Sequence, residues 1–406
     1  MSAENSKKGA PEMSNEIRIG KPYIEEVSGG VRLCAQLRLH GREQTMWFSV
    51  DPEYGEYLTD DRADAFVAGI FTTAMRDGAD VVCDAPVTRR LLYQLNRCLI
   101  PRMAANMGDV FHPIRIQAAP TDVKLPCAGA VGTGWSGGVD SMFTLKQSLH
   151  AEEPSRRLTH LLITSNGALE DEDNSGLLQR LVEQAQAGVA AETGLKVLGV
   201  DTNLQELQPE PFLSVAAFRH SAVTLALQKL FGAILWSSAY EFARFSFDSN
   251  NSFYYELAIY GSFETDATVL YSAGGAWSRA QKLQALSDYP LARKYLHPCI
   301  HPTGKNCGRC GKCVRTEAAL YGLGTLDRFS EVFDVEAFER DKDWYFAQLL
   351  ANERSQHYGE ALVLLRQRGI ELSPEAQRMA RILRAAKAVT DKNKEFLSEK
   401  LLCRKI

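Results

Sequence analysis

The stretch "WSGGVDS" at residues 135–141 has the residue types of an anion-binding loop. The small-residue segment before it, "AGAVGTGW", predicts a strand, and apolar residues resume at helical spacing directly after it. Free backbone N–H groups and the helix dipole at such a junction favour negative charge. Gly137 and Gly138 let the backbone close on a phosphate, and Ser136 and Ser141 can donate hydroxyl hydrogen bonds. The loop therefore predicts a phosphate site.

Asp140 needs a separate explanation, because a carboxylate repels a bare phosphate. It suits the loop if it helps to hold a Mg²⁺ ion that carries the phosphates. The spacing excludes the Walker loop, Gly-x4-Gly-Lys-Ser/Thr, and the dinucleotide fingerprint. The alternative is that the loop is only a glycine-rich turn between a strand and a helix and binds no ligand.

Four of the nine cysteines share one short stretch with the spacing C-x7-C-x2-C-x2-C, namely Cys299, Cys307, Cys310 and Cys313. Such clustering favours a metal over disulfide bonds. Four thiolates can close a tetrahedron on Zn²⁺ and leave no open position, which indicates a structural site. An iron–sulfur cluster is the alternative, because C-x2-C-x2-C also occurs in ferredoxins. His297 and His301 are nearby, but four cysteines suffice.

The loop resembles the Ser-Gly-Gly-x-Asp-Ser motif of the PP-loop ATP pyrophosphatases. With the cysteine cluster about 160 residues later, residues 127–325 resemble the 7-cyano-7-deazaguanine synthase (QueC) family. In "SRAQKLQAL", Ser278 and Arg279 take the places of a serine and a phosphate-binding lysine in that family. Arg315 also matches the family, and "SSAYEF" stands where it has Gly-x-Asn-Ala-x-Asp.

The resemblance implies an enzyme that transfers AMP from ATP to a carboxylate, releases pyrophosphate and forms a C–N bond. The implied cofactors are ATP, Mg²⁺ and Zn²⁺, and the implied acid is 7-carboxy-7-deazaguanine or a relative. Asp140 and Ser141 are the implied catalytic residues, and Arg279 is implied to contact pyrophosphate. We expect Lys282, one turn later, to be solvated. The implied ATP-binding loop residues are Ser136, Gly137, Gly138, Val139, Asp140 and Ser141.

Two departures leave the acceptor open. The family's Tyr-Pro-Asp-Cys stretch is absent, and "ARFSFDSNNSFYYEL" stands there instead. Added N- and C-terminal regions suggest a specialised branch, as in antiphage defence or secondary metabolism. The acceptor is then ammonia, giving an amide or nitrile, or an amine on another molecule, including a protein. The candidate substrate contacts are Glu241, Phe242, Arg244, Asp248 and Tyr254.

Two other functions stay open at this point. A PP-loop tRNA sulfurtransferase would need basic patches and a reactive cysteine, and the net charge of −4 does not favour one. A non-catalytic scaffold that binds adenine nucleotides would not need the carboxylate of Asp140.

The elements around these motifs indicate an α/β fold. Short apolar runs separated by helical patterns predict a parallel-sheet PP-loop domain over 127–325. We predict an α+β accessory domain over 17–118, which selects the acceptor and does no chemistry, and a helical region over 326–406. Within 17–118 we predict a hairpin of residues 31–40 with "TMWFSV", a helix in "DDRADAFVAGIFTTAMRDG" that Asp60 or Asp61 caps and Gly78 ends, and a strand in "FHPIRIQAA". The strands of the middle region are predicted at 160–164, 195–200, 232–236 and 267–272, and Ser373 is predicted to cap a later helix. For Arg219 and His220 a core or surface role is the better interpretation. Covering an apolar face of the sheet is the alternative role for residues 17–118. Residues 1–16 predict a disordered tail.

Composition limits the remaining possibilities. The chain has 406 residues, 45% hydrophobic and 24% charged, as in an ordinary globular protein. No apolar run reaches the ~18 residues that span a bilayer, and the N-terminus lacks a signal-peptide core. We therefore expect a cytoplasmic protein with no membrane partner and no general nucleic-acid binding. Composition leaves open whether the chain forms a homodimer.

Overall fold

The computed structural model describes residues 16–167, 176–301 and 304–402, with side chains up to residue 388. The predicted tail lies outside this part except for Glu16, which begins the first strand. The strands are β1 Glu16–Ile19, β2 Tyr23–Val27, β3 Gly30–Leu39, β4 Arg42–Val50, β5 Asp80–Cys83, β6 Val87–Thr88, β7 Ile116–Gln117, β8 Pro120–Thr121, β9 Ala130–Gly134, β10 His160–Ser165, β11 Lys196–Thr202, β12 Phe231–Ser237 and β13 Val269–Ala273.

Helices separate most of these strands and dominate the C-terminal part. They are α1 Asp64–Asp77, α2 Arg89–Gln94, α3 Ile100–Asn106, α4 Val139–Ser148, α5 Leu177–Ala185, α6 Ala191–Thr193, α7 Leu204–Leu207, α8 Phe212–Ala226, α9 Glu256–Phe263, α10 Arg279–Leu286, α11 Pro290–Tyr295, α12 Gly311–Leu323, α13 Val335–Ala351, α14 Gln356–Gln367 and α15 Pro374–Leu402. None of the helices within the described ranges is both apolar and long enough to cross a lipid bilayer.

The five strands predicted for the middle region form a parallel sheet in the order β13-β12-β9-β10-β11. The chain therefore runs outward from β9 through β10 to β11 and returns to start β12 on the other side of β9. The gap between the carboxyl ends of β9 and β12 is the switch point where ligands bind in open α/β sheets. The loop at 135–141 follows β9 directly and lies at this point.

The N-terminal strands extend the same sheet. The predicted β3–β4 hairpin forms, and β4 pairs antiparallel with β11, so one sheet of 11 strands spans both parts. Helix α1 packs against α8, where the ring of Phe71 stacks on that of Phe218 with centroids 5.6 Å apart. Residues of both parts belong to one apolar core. The region 17–118 thus extends the parallel sheet beyond β11 and packs α1 beside α8.

Two local predictions in this region are corrected. Helix α1 begins at Asp64 and not at a cap formed by Asp60 or Asp61. Those two carboxylates pair with Lys229 and Arg62, so neither is available to the helix. The strand predicted in "FHPIRIQAA" is only the two residues of β7. The end of α1 at Gly78 is confirmed, with the glycine in the left-handed region at φ 61°.

The C-terminal helices pack on the opposite face of the sheet, together with α4. A second apolar core joins α4, α10 and α12 to α13 and α14. The predicted start of α15 is confirmed, since the Ser373 hydroxyl accepts the N–H of Ala376 at 3.0 Å. This packing brings α10, α12 and α14 close to the loop that follows β9.

Candidate active site and cysteine cluster

The loop at 135–141 has a backbone conformation that requires glycine. Gly137 has φ +70°, in the left-handed region, and a Cβ there would lie 3.2 Å from the Cβ of His297. The N–H of His297 donates to the carbonyl of Gly137 at 2.7 Å. Gly138 is the extended N-cap residue of α4. The segment that leads into the cysteine cluster therefore packs directly on this loop.

The remaining loop residues fix its shape. The Gly138 N–H donates to the Ser136 hydroxyl at 3.3 Å, and the Ser141 hydroxyl donates to the Gly138 carbonyl at 3.1 Å. The two hydroxyl oxygens lie 3.3 Å apart. Val139 is buried in the second apolar core. Its side chain anchors the helix, and only its backbone can face a ligand.

Asp140 forms two ion pairs with α10. Its carboxylate accepts from Arg279 at 2.5 Å and from the ammonium of Lys282 at 2.8 Å. Lys282 is only 2% exposed and also donates to the Ser238 carbonyl at 2.7 Å. The prediction that Lys282 is solvated is therefore wrong, because it lies three residues from Arg279 and faces the same side of α10. Burial raises the pKa of Asp140, but the two cations outweigh it and lower that pKa below its usual value.

Two more cations approach from α12. Burial and the charges of Arg315 and Arg279 lower the pKa of Lys312, and burial and Arg279 lower that of Arg315. The Nε atoms of Arg279 and Arg315 are buried and have no hydrogen-bond partner among the described residues. Asp140 thus contacts two cations and interacts electrostatically with two more. The excess positive charge and the unused donors suit a polyanion.

His357 brings α14 to the same cluster. Its ring stacks against that of Tyr240 with centroids 5.7 Å apart, and its Nδ1 is buried without a partner among the described residues. Burial and the charges of Arg279 and Arg315 lower its pKa to about 3, so it is neutral at physiological pH. No pattern in the sequence points to His357, because α14 meets the loop only through tertiary packing.

As arranged, the loop does not fit a Mg²⁺ ion. Magnesium needs oxygen ligands, and both carboxylate oxygens of Asp140 are occupied by Arg279 and Lys282. The unused Nε donors of Arg279 and Arg315 suit anionic oxygens instead. A magnesium role for Asp140 stays a prediction, and no chemical step is assigned to that ion.

The four clustered cysteines come together as predicted. Their Sγ atoms all lie within 4.8 Å of one another, so they could bind a metal such as zinc. A tetrahedral zinc with Zn–S bonds of about 2.3 Å would bring the sulfurs to about 3.8 Å. The side-chain amide of Asn306 ties this loop to the carbonyls of Leu296 and Val332, each at 2.9 Å. His297 Nε2 lies 2.8 Å from the His301 carbonyl oxygen and outside the thiol cluster.

Cys310 links the cluster to α12. It is the N-cap residue, and its sulfur accepts the N–H of Cys313 at 3.4 Å. Burial raises the pKa of Cys310, but the backbone N–H groups of Cys313 and Ile300 outweigh this and lower the pKa to about 7. A thiol that ionises near neutral pH is a ready metal ligand. The same helix turn carries Lys312, so the cluster and the cations share one support.

The predicted substrate contacts lie in the loop that follows β12. Glu241 is 3.7 Å from Arg244 and accepts from Gln356 of α14 at 3.2 Å. The rings of Tyr254 and Tyr240 lie 4.4 Å apart. Asp248 accepts the N–H of Asn250 at 2.9 Å. The Phe242 N–H donates to the Gly275 carbonyl, just after β13, at 2.7 Å. Four of the five predicted contacts thus lie in the loop next to the switch point, whereas Asp248 stabilises a turn.

Several other polar residues at the strand ends are structural. Arg219 is buried and donates to the carbonyl of Asn166 at 2.8 Å, which ties α8 to the end of β10. His220 stacks on Trp236 with centroids 3.9 Å apart, and burial lowers its pKa to about 3. This agrees with the packing role that is the better interpretation of the α8 sequence.

Comparison with protein-family models, curated proteins and solved structures gives no match. The resemblance to QueC therefore rests on the sequence motifs alone.

Proposed function

We propose that this protein activates a carboxylate with ATP, releases pyrophosphate, and transfers the acyl group to an amine. The observation that carries the proposal is the position of the loop at 135–141. It follows the central strand β9 at the switch point of the parallel sheet and faces the cations of α10 and α12. A loop of free N–H groups opposite an excess of cations suits the phosphates of a nucleotide.

In this proposal each side chain has a defined task. Arg279, Lys312 and Arg315 neutralise the β- and γ-phosphates and stabilise the charge that collects on departing pyrophosphate. Asp140 holds Arg279 and Lys282 in place by its two ion pairs. Ser141 shapes the loop, because its hydroxyl donates to the Gly138 carbonyl. The substrate carboxylate attacks the α-phosphorus, and the resulting acyl adenylate retains AMP as its leaving group.

By resemblance the acid is 7-carboxy-7-deazaguanine or a relative, and the acceptor is ammonia or another amine. The loop after β12 is placed to contact the acid, since it lies beside the loop after β9 at the switch point. The cysteine cluster holds zinc as a structural ion and supports the first turn of α12. Its task is to position Lys312 and Arg315, and it takes no part in bond making.

Cys34 and Cys83, two cysteines outside the cluster, do not support the sulfurtransferase alternative. Burial raises the pKa of Cys34 to about 11 and that of Cys83 to about 12, so both thiols stay protonated at neutral pH. A sulfur carrier requires a thiolate. Both residues also lie in β3 and β5, on the far side of β11 from the loop.

An isotope exchange assay tests the proposal. Radiolabelled pyrophosphate is incubated with protein, ATP, magnesium and 7-carboxy-7-deazaguanine, and label in ATP is counted. We expect exchange that depends on the acid, because adenylation is reversible before the amine arrives. The matched control is 7-deazaguanine, which lacks the carboxylate and must give none. Equal exchange with both compounds contradicts the proposal.

A further inference from the structure

Glu256, the first residue of α9, has a free carboxylate oxygen that the steps above do not use. The residue is 2% exposed. Its Oε1 accepts from the Ser272 hydroxyl at 2.6 Å, whereas Oε2 is buried and has no partner among the described residues. A buried acceptor without a donor is costly. Glu256 therefore suits a ligand that brings N–H or O–H groups.

Glu256 is one of the residues that line a small cavity of about 10 Å³ in the loop after β12. That volume admits about one water-sized group. Ring-bearing side chains form much of its wall, and Phe242 and Phe245, both exposed, lie on its outer side. We name this cavity the amine pocket; its aromatic residues are Tyr240, Phe242, Phe245, Phe253 and Tyr254.

Charge is divided between the amine pocket and the phosphate site. Cations from α10 and α12 act on Asp140, while the carboxylates among the residues that line the amine pocket are those of Glu256 and Glu241. Lys282 is a cationic neighbour of Glu256, and Arg244 lies 3.7 Å from Glu241. Ser238 joins the pocket to the phosphate site, because it lines the pocket and its carbonyl accepts from Lys282 at 2.7 Å. Carboxylates and aromatic faces attract a small cation. The cavity is too small for a ring such as a purine.

We infer that the amine pocket receives the protonated nitrogen of the acyl acceptor and that Glu256 accepts its proton. This inference rests on the proposed function. The acceptor enters as R–NH₃⁺, and Oε2 of Glu256 takes one proton to give R–NH₂. The free amine forms the C–N bond to the acyl carbon, and the bond from that carbon to AMP breaks. The second proton leaves to AMP phosphate or to water.

Burial brings the pKa of Glu256 into a useful range for accepting a proton. Burial raises its pKa to about 7, and the hydroxyls of Ser238 and Ser272 and the charge of Lys282 only partly oppose the shift. Proton acceptors work best with a pKa near the working pH. The other titratable groups that face Glu256 are Asp140 of α4, Tyr260 of α9, and Tyr240, Glu241 and Tyr254 of the loop after β12.

Two acceptors present the same chemistry. A free ammonium ion fits the cavity whole, and a primary amine can insert its head group while the rest of the molecule stays at the mouth. Ammonium chloride and glycinamide are the two probes, and tert-butylamine, a primary amine whose nitrogen is attached to a fully branched carbon, is the oversized control. Amide formed from one probe and not the other identifies the source, while amide from neither in a protein that adenylates its acid overturns the inference.

The kinetic test separates the two half-reactions. In Glu256→Gln we expect pyrophosphate exchange to be retained and amide formation to fall about 100-fold. The wild-type amide rate should rise with pH through about 7, and the variant should lose this dependence. Glu264→Gln is the matched control, because Glu264 ends the same helix and pairs with Arg90 outside the pocket. Equal loss of both half-reactions, or of neither, overturns the inference.

Binding of ammonium can be tested without measuring catalysis. Melting temperature is measured in ammonium chloride and in sodium chloride at equal ionic strength. We expect ammonium to raise it in the wild type and in Glu264→Gln, but not in Glu256→Gln. If ammonium raises the melting temperature but no pyrophosphate exchange is found, the proposed function is wrong while the ammonium-binding role of the amine pocket is supported. If pyrophosphate exchange is found but ammonium does not raise the melting temperature specifically, the proposed function is supported and the inference about the amine pocket is overturned.

Discussion

The ammonium of Lys282 and the carboxylate of Asp140 lie 2.8 Å apart, and this contact joins α10 to the loop after β9. Lys282 is the most buried of the cations at the site. A buried charge is retained only with a partner. The pair therefore positions the loop and, through the Ser238 carbonyl, the end of β12.

We expect Lys282→Met to reduce pyrophosphate exchange at least 100-fold. The substitution keeps the length of the side chain but leaves Asp140 with Arg279 alone, and one buried contact to Ser238 is lost. The loop and the end of β12 then lose the contact that positions them, and a misplacement of about 1 Å can cost about 100-fold in rate. Lys146→Met is the matched control, since Lys146 is an exposed lysine of α4. If Lys282→Met were as active as this control, Lys282 would have no role at the site.

We expect one zinc ion per chain and its loss in Cys310→Ser, measured by elemental analysis of purified protein. Serine is a good N-cap residue, so the substitution preserves the cap of α12 and removes only the metal ligand. Pyrophosphate exchange should fall with the metal, because α12 carries Lys312 and Arg315. The control is Cys34→Ser, a buried thiol outside the cluster. Iron with visible absorbance would identify an iron–sulfur cluster instead.

The packing of the N-terminal part predicts a single unfolding transition. Phe71 is 1% exposed and contacts Phe218 of α8 and Phe263 of α9. We expect Phe71→Ala to lower the free energy of unfolding by about 3–5 kcal/mol. Urea denaturation followed by fluorescence and circular dichroism should give coincident curves. Two separate transitions would show that residues 17–118 fold independently, and Tyr93→Ala is the exposed control.

The pH dependence of stability tests the burial of Glu256. Because its pKa in the folded chain is about 7, above the ordinary 4.5, the folded state holds this proton more tightly than the unfolded state. The resulting stability is complete below about pH 4.5 and is lost as pH rises to about 7. We expect Glu256→Gln to gain stability relative to wild type between pH 5 and pH 8, on the order of 2 kcal/mol. Urea denaturation measures the free energy of unfolding of both proteins, and a difference between them that does not change with pH would contradict this.

Much of the fold follows from local patterns. The apolar runs predict β10, β11, β12 and β13, since buried parallel strands leave a continuous apolar signature. The pairing of β4 with β11 could not be predicted, because a two-residue contact at a strand end leaves no pattern in either strand. For the same reason the sequence suggested a separate domain over 17–118, where the structure has one continuous sheet.

Some residues of the site could likewise be predicted from local sequence, and others could not. The loop residues and the four cysteines lie close in the chain, so their spacing alone reveals them. Lys282 could have been assigned from its position three residues after Arg279 on one helix face. Glu256 and His357 could not, because their roles depend on burial and on contacts between elements distant in the chain.

The central claim is that ATP is cleaved between the α- and β-phosphates. Phosphorus NMR of the protein incubated with ATP, magnesium, 7-carboxy-7-deazaguanine and ammonium chloride identifies the products directly. The account predicts AMP and pyrophosphate in equal amounts, with amide formed alongside and no products when the acid is omitted. ADP and inorganic phosphate as the main products would contradict it.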